Sequence, residues 1–224
     1  MDDVRWITAF LDLAPDVHEV ATQFWLGVTG ATLSATRGEH DEFATLVPPD
    51  GDDHLRVQRL RVGPSRIHLD VHADDHAFAV HASPGGLVWC SVSHPGQAPP
   101  TAVTWPGGHR SQVDQVCVDI PSEQYDEECA FWSGLTAWPV DDGKGHDEFR
   151  RLRVPDGTRM RVLLHRLDEP TGPTRAHLDL ATDDRAAETD RHVALGATVV
   201  DPRSHWTVLH DPAGSSYCIT DRRP

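Results

Sequence analysis

Phe24-Trp25-Leu26-Gly27-Val28-Thr29-Gly30 returns, 107 residues further on, as Phe131-Trp132-Ser133-Gly134-Leu135-Thr136-Ala137. An echo at a fixed distance marks a duplicated unit when its flanks repeat as well. They do: His40-Asp41-Glu42-Phe43 recurs as His146-Asp147-Glu148-Phe149, Pro49-Asp50-Gly51 as Pro155-Asp156-Gly157, and Gly63-Pro64 with His68-Leu69-Asp70 as Gly172-Pro173 with His177-Leu178-Asp179, at offsets of 106, 106 and 109. Four matches in one order make the chain a tandem duplication. The connection Pro95-Gly96-Gln97-Ala98-Pro99-Pro100, with Pro106-Gly107-Gly108 after it, can continue neither helix nor strand. It divides the chain into a first copy, residues 1–105, and a second, residues 109–224. Beyond Asp74-Asp75 and Asp183-Asp184 the offset to the closing proline, Pro84 or Pro212, grows to 128, so the first copy lacks 19 residues. They correspond to Ala186–Ser204, which read as a short helix and one strand.

Within a copy the apolar runs Ile7–Leu13 and Val113–Ile120 end at Pro15 and Pro121, as strands entering helices. Asp16-x-x-Glu19 has the form of a capping box, and Val17, Val20, Ala21, Phe24 and Val28 follow a helical spacing until Gly30. The second copy's helix is expected from Ser122. Strand-like stretches follow at 42–47 and 55–60 in the first copy and at 148–154 and 160–167 in the second. The pattern restarts at Arg66–Ala73 and Arg175–Thr182, and only the second copy keeps the next helix, Arg185–Leu195, closed by Gly196. Strands at Thr198–Val200, Trp206–His210 and Ser216–Thr220 complete it. The second copy thus holds two β-α-β-β-β units, and the first holds one and a shortened one.

The 224 residues carry 20 basic against 35 acidic side chains, a net charge of -15, with no Lys/Arg run able to neutralise a phosphate backbone. Nucleic acid is therefore not an expected partner. No stretch approaches the length of a membrane-spanning segment, and the acidic start Met1-Asp2-Asp3 lacks the basic region of a secretory signal, so no membrane is expected and the location is read as cytoplasmic. Cys90, Cys117, Cys129 and Cys218 are scattered without a C-x-x-C pair, which suggests reduced, buried thiols. Phosphate-cradling loops, a G-x-S-x-G elbow and metalloprotease spacing are all missing.

Paired β-α-β-β-β units, a Phe-Trp late in the first helix, His-Leu-Asp opening the second unit and Asp211-Pro212-Ala213-Gly214 before the last strand resemble the glyoxalase and bleomycin-resistance group, the vicinal oxygen chelate superfamily. The chain looks most like actinobacterial proteins with two glyoxalase-like domains in tandem. The resemblance covers nearly the whole chain. It implies an α+β fold whose mixed, curved sheets form clefts with helices outside, each cleft taking a divalent metal, a small organic molecule, or both.

Strand alternation puts His68, Asp70 and His72 on one face against Leu69 and Val71, and His177 and Asp179 against Leu178 and Leu180. Those polar faces, with Gln115 and Trp206, are the expected ligand-binding cleft. His68 and His177 fall where the resemblance places a metal histidine, with His165, Asp70 or His72 as recruits, and imidazole and carboxylate suit zinc, iron, nickel or manganese. The other family ligand positions have changed. The first-strand histidine is replaced by Thr8 and Gln115, the fourth-strand glutamate by Gln58 or Arg59 and by His165 or Arg166, and the last strands offer Cys90 and Cys218. The leading expectation is a protein that binds a small organic molecule in a sheet-lined cleft without an evident catalytic motif. Two alternatives stand beside it: a divalent-metal-dependent lyase, isomerase or ring-cleaving dioxygenase using His177, Asp179 and His165, and a structural pseudo-dimer without ligand. The second copy is the expected better site. Either a monomer with an internal pseudo-dimer or a homodimer satisfies the pairing of domains.

Overall fold

The computed structural model describes residues 4–74, 77–93, 98–142, 147–158 and 160–224. Met1-Asp2-Asp3, the 95–97 part of the connection, Asp75 and His146, all named above, lie outside them. The first half runs β1 (Val4–Leu13), α1 (His18–Thr29), β2 (Thr32–Leu33), β3 (Phe43–Val47), β4 (Leu55–Arg59), β5 (Arg66–Ala73), β6 (Ala79–Ala82) and β7 (Val88–Val92). After β8 (Val103–Thr104) come β9 (Arg110–Ile120), α2 (Tyr125–Thr136), β10 (Val140–Asp142), β11 (Phe149–Leu152), β12 (Arg161–Arg166), β13 (Arg175–Thr182), α3 (Arg185–Ala194), β14 (Thr198–Pro202), β15 (Trp206–His210) and β16 (Ser216–Thr220). No helix among the described residues is long and apolar enough to cross a membrane.

Two mixed sheets result, ordered β2-β3-β4-β1-β5-β7-β6 and β10-β11-β12-β9-β13-β16-β15-β14, with β8 paired to β9. The orders match strand for strand until β14. The missing 19 residues of the first copy are thus α3 and β14, and the repeat arithmetic and the topology agree. In each sheet the unit-opening strands pair antiparallel, β1 with β5 and β9 with β13, and each flanks a parallel neighbour. Parallel central strands are buried on both faces, which is why β1 and β5 read as nearly unbroken buried runs.

The helices begin later than the capping pattern predicts. Neither Asp16 nor Ser122 caps a helix: α1 starts after Val17 and α2 after Gln124, with no side-chain cap on either. In both copies a turn follows the proline instead, closed by Val17 N–H to Ala14 O and by Gln124 N–H to Pro121 O. It uses up the residues that a capping box needs. Asp184 does cap α3, accepting from Ala187 N–H.

The halves are joined through their helices. Phe24 and Trp25 of α1 meet Tyr217 at 5.9 and 5.3 Å, and Phe24 meets His192 of α3 at 6.0 Å. Arg191 of α3 donates to Gly27 O and Val28 O, satisfying two of the carbonyls that the end of α1 leaves open. From the other side, Phe131 of α2 lies 6.3 Å from Trp89, and Trp138 Nε1–H donates to Val4 O. One carboxylate anchors each crossing. Trp25 Nε1–H donates to Asp211, which also caps its own turn at Ala213 and Ser215. At the equivalent crossing the turn residue is Ser83, and the carboxylate comes from the helix: Glu128 accepts from Ser83 Oγ, Gly85 N and Trp132 Nε1. Repeat equivalence places Ala21 opposite Glu128, so turn and helix have exchanged the acidic role between the two crossings.

Candidate functional site

In the second sheet β9, β12, β13 and β16 turn alternate side chains to one face, and the ladder register decides which ones meet. His165 pairs with Asp119, His177 with Cys117, and Asp179 with both Gln115 and Cys218. These residues form the floor of a cavity of about 620 Å³. Phe149 and Leu163 supply apolar wall, Trp206 and Val208 of β15 the facing side, and Arg151, Arg161 and Arg222 a basic fringe. The mixture of apolar wall and few convergent polar groups is the usual make-up of a small-molecule site.

Asp119 organises the floor. Its Oδ1 lies 2.8 Å from His165 Nδ1 and its Oδ2 lies 2.7 Å from His177 Nδ1, so one carboxylate orients two imidazoles. Burial pushes Asp119 upward, but the His177 charge and the hydrogen bonds from both rings outweigh it and hold the carboxyl well below the usual range. Burial likewise works against charge on His177. Its anionic surroundings outweigh that: the sulfur of Cys117 counts only when ionised, and Asp119 and Asp179 keep the ring protonated well above its ordinary value. Cys117 itself is pushed up to about 12, chiefly by burial, and is a neutral thiol. Asp179 presents Oδ2 to Gln115 Nε2–H, whereas its Oδ1, 3.3 Å from His177 Nε2, has no hydrogen-bond partner among the described residues. Cys218 Sγ is 3.6 Å from the same Nε2. His165 stacks on Phe149 at 4.7 Å, and Trp206 meets that ring edge-on at 6.2 Å.

The first sheet repeats the scheme and fills it. His68 Nδ1 lies 2.7 Å from Asp12 as His177 does from Asp119, yet the residue equivalent to Cys117 is Phe10, which stacks flat on His68 at 4.5 Å. Arg56 covers Phe10 from above at 5.7 Å and reaches Asp70 at 3.5 Å. Asp70 is pushed upward by burial. His72 hydrogen-bonds Thr8 Oγ1 at 3.0 Å. The ring of Phe10 takes the space that is open in the second sheet, so Phe10→Cys, which copies the second copy, is expected to leave a void over His68 and cost about 2–4 kcal/mol. Urea unfolding measures this. A cost below about 1 kcal/mol would show that the ring is not filling a packed space.

Among the site residues read from sequence, the cavity brings together Gln115, His165, His177, Asp179 and Trp206, while His68, Asp70 and His72 stand on the filled face. Sequence reasoning missed Asp119, Phe149 and Arg151. Asp119 had a signal, because an aspartate interrupts the same apolar run in both copies, at Asp12 and Asp119. The choice between His165 and Arg166 needed the register, since neighbouring residues on a strand face opposite ways.

The family described as glyoxalase-like domain matches residues 8–110 and again 115–220. No curated protein matches the chain. Among solved structures, the Mn(II)-bound glyoxalase from Novosphingobium aromaticivorans superposes with a TM-score of 0.62 at 17% identity, over 97% of this chain and 81% of that one. A mutant of 4-hydroxymandelate synthase from Streptomyces coelicolor gives 0.62 at 15% identity, over 100% and 94%. The 2,2',3-trihydroxybiphenyl 1,2-dioxygenase from Sphingomonas wittichii strain RW1 gives 0.59 at 12% identity, over 97% and 90%. At such identities the likeness is one of fold.

Proposed function

Because the chain belongs to the glyoxalase-like domain family, in two tandem copies within the vicinal oxygen chelate superfamily, we propose that its second copy binds a small, planar organic anion in the cavity over β9 and β13. The observation that carries this reading is the contrast between the two equivalent faces, one plugged by Phe10 and the other open, walled by Phe149 and Trp206. The anionic end follows from charge. Arg151 at the cavity edge forms no ion pair among the described residues, in a chain of net charge -15 whose cations are scarce. A carboxylate there gains a bidentate partner, and the aromatic wall takes the flat remainder.

One neighbour is described as Mn(II)-bound, and atoms of Cys117, His177 and Asp179 lie within 4.8 Å of one another. A divalent ion there would be held by one imidazole, one carboxylate and a thiol that binding would deprotonate. Both oxygens of Asp119 are held by imidazole Nδ1 atoms, so His177 Nε2, Asp179 Oδ1, His165 Nε2 and the sulfurs of Cys117 and Cys218 are the atoms left to face a cation. Arg222 adds positive charge 3.9 Å from Asp179. A cation would have to share Asp179 with Arg222, and the binding reading does not call on one.

A thermal-unfolding screen of aromatic carboxylates, each paired with its neutral amide, tests the reading. A carboxylate present at about 100 times its Kd is expected to stabilise by about 2.7 kcal/mol, and Arg151→Gln to weaken the acids about tenfold while leaving the amides unchanged. Protein purified without chelator is expected to hold far less than one divalent ion per chain. No stabiliser in either series would refute ligand binding, and near-stoichiometric metal that disappears in His177→Ala would favour the metal-dependent alternative.

A further inference from the structure

The 19 residues missing from the first copy leave a sheet edge open. β6 ends the first sheet and pairs with β7 alone among the described residues, whereas its equivalent β15 has β14 along its outer side. The register shows which groups are left over. Ser83 N–H donates to Leu87 O, so antiparallel alternation turns the backbone groups of Ser83, His81 and Ala79 to β7 and those of Phe78, Val80 and Ala82 outward. In the second sheet the same positions are Trp206, Val208 and His210. They face β14, where Asp201 pairs with Val208, Thr198 pairs with His210, and Arg203 N–H donates to Trp206 O. The fold therefore accepts a strand on this side of the sheet.

Sheet edges are normally kept from pairing by proline, by bulges, by charge or by brevity. Such guards stand on the other edges: β14 ends at Pro202 and is bulged between Val199 and Asp201, while β2 and β10 have two and three residues. β6 carries no proline, bulge, carboxylate, lysine or arginine. Phe78 and Val80 are 71% and 63% exposed, after Val62 the most exposed large apolar side chains among the described residues. We propose that β6 pairs with β6 of a second molecule of this chain about a two-fold axis through Val80, joining two first sheets edge to edge. The segment fits itself in that register. With Val80 opposite Val80, Phe78 falls opposite Ala82, and every outward N–H and C=O of these residues meets one from the other molecule. On the shared face a ring lies beside a methyl group and two valines meet. Charge permits the approach, because residues 77–86 hold no carboxylate although the chain has 35 acidic side chains and a net charge of -15. A strand pair this short buries less than the roughly 1,200 Å² of a stable interface, so the dimer is a weak one.

Sedimentation equilibrium of the full-length protein between about 5 and 500 µM is expected to show a monomer passing into a dimer. Amide hydrogen exchange locates the contact. The Val80 and Ala82 amides should slow as concentration rises, whereas those of Ala79 and His81, already turned to β7, should not change. Val80→Pro removes only an outward N–H and keeps an apolar side chain, a change that an edge strand tolerates. It should therefore leave the Tm at low concentration unchanged and weaken dimerisation at least about tenfold. Val80→Lys, which sets like charges against each other at the axis, should weaken it as well. A protein that stays monomeric throughout the range overturns the proposal. So does a dimer that Val80→Pro leaves intact or in which the Val80 amide is not slowed, since apolar side chains or another surface would then be holding it. Growth beyond two molecules overturns it too, because a two-fold pair leaves no β6 edge for a third.

Discussion

Glu128→Ala will lower stability by about 3–5 kcal/mol, and adding Ser83→Asp to it will recover most of the loss. The side chain of Glu128 is fully buried and accepts three hydrogen bonds, from Ser83 Oγ, Gly85 N and Trp132 Nε1. Removing it leaves the buried Ser83 and Trp132 donors and the part-buried Gly85 N–H unpaired, each buried one costing about 1–3 kcal/mol, less whatever water enters. The rescue follows from the other crossing, where an aspartate on the turn serves the tryptophan of the opposite helix and the helix carries Ala21. Ser83→Asp alone should destabilise, because it sets a second carboxylate against Glu128. The cycle therefore changes sign: aspartate harmful beside glutamate, helpful beside alanine. Urea unfolding of the four proteins measures it. Additive single and double effects would mean that the crossings are not equivalent.

Asp119→Asn is the second large effect, about 3 kcal/mol, and its size should depend on pH. Removing one partner of a buried ion pair leaves the other uncompensated, and here two imidazoles lose the group that orients them. Asp119 is held below its ordinary value, so its contribution is complete above about pH 4, the unfolded carboxylate range, and fades as pH falls toward the folded value. His177 is held above its ordinary value, so its contribution is complete below about pH 6.5 and fades as pH rises toward the folded value. The stability difference between the unaltered protein and Asp119→Asn should therefore be widest between about pH 4 and 6.5 and narrow on both sides. Unfolding curves across that range decide it. A difference that is constant with pH would show that His177 is neutral in the fold.

Much of this was readable before any coordinates. The duplication, the strands that carry His68 and His177, and the helix and strand absent from the first copy follow from spacing alone, because a repeat is a comparison of the chain with itself. The short strands β2, β6, β8 and β10 were not, since two to four residues carry too little alternation to separate a strand from a turn. Phe10 was visible in principle. Alignment of the copies sets it against Cys117, but only the stacking on His68 shows that the larger ring plugs a hollow. The acidic exchange between Asp211 and Glu128 has no local signature at all. Each residue is ordinary in its own segment, and its meaning lies in a partner 45 or 186 positions away.

The crossings of Phe24, Trp25 and Phe131 also bear on how such a chain can descend. A copy whose hollow is plugged would ordinarily be free to decay and be deleted. Here deletion would strip Tyr217 and His192 of the rings that cover them and uncover an oily surface on the survivor. The plugged half is the open half's missing wall, so a change in either falls on the packing of both.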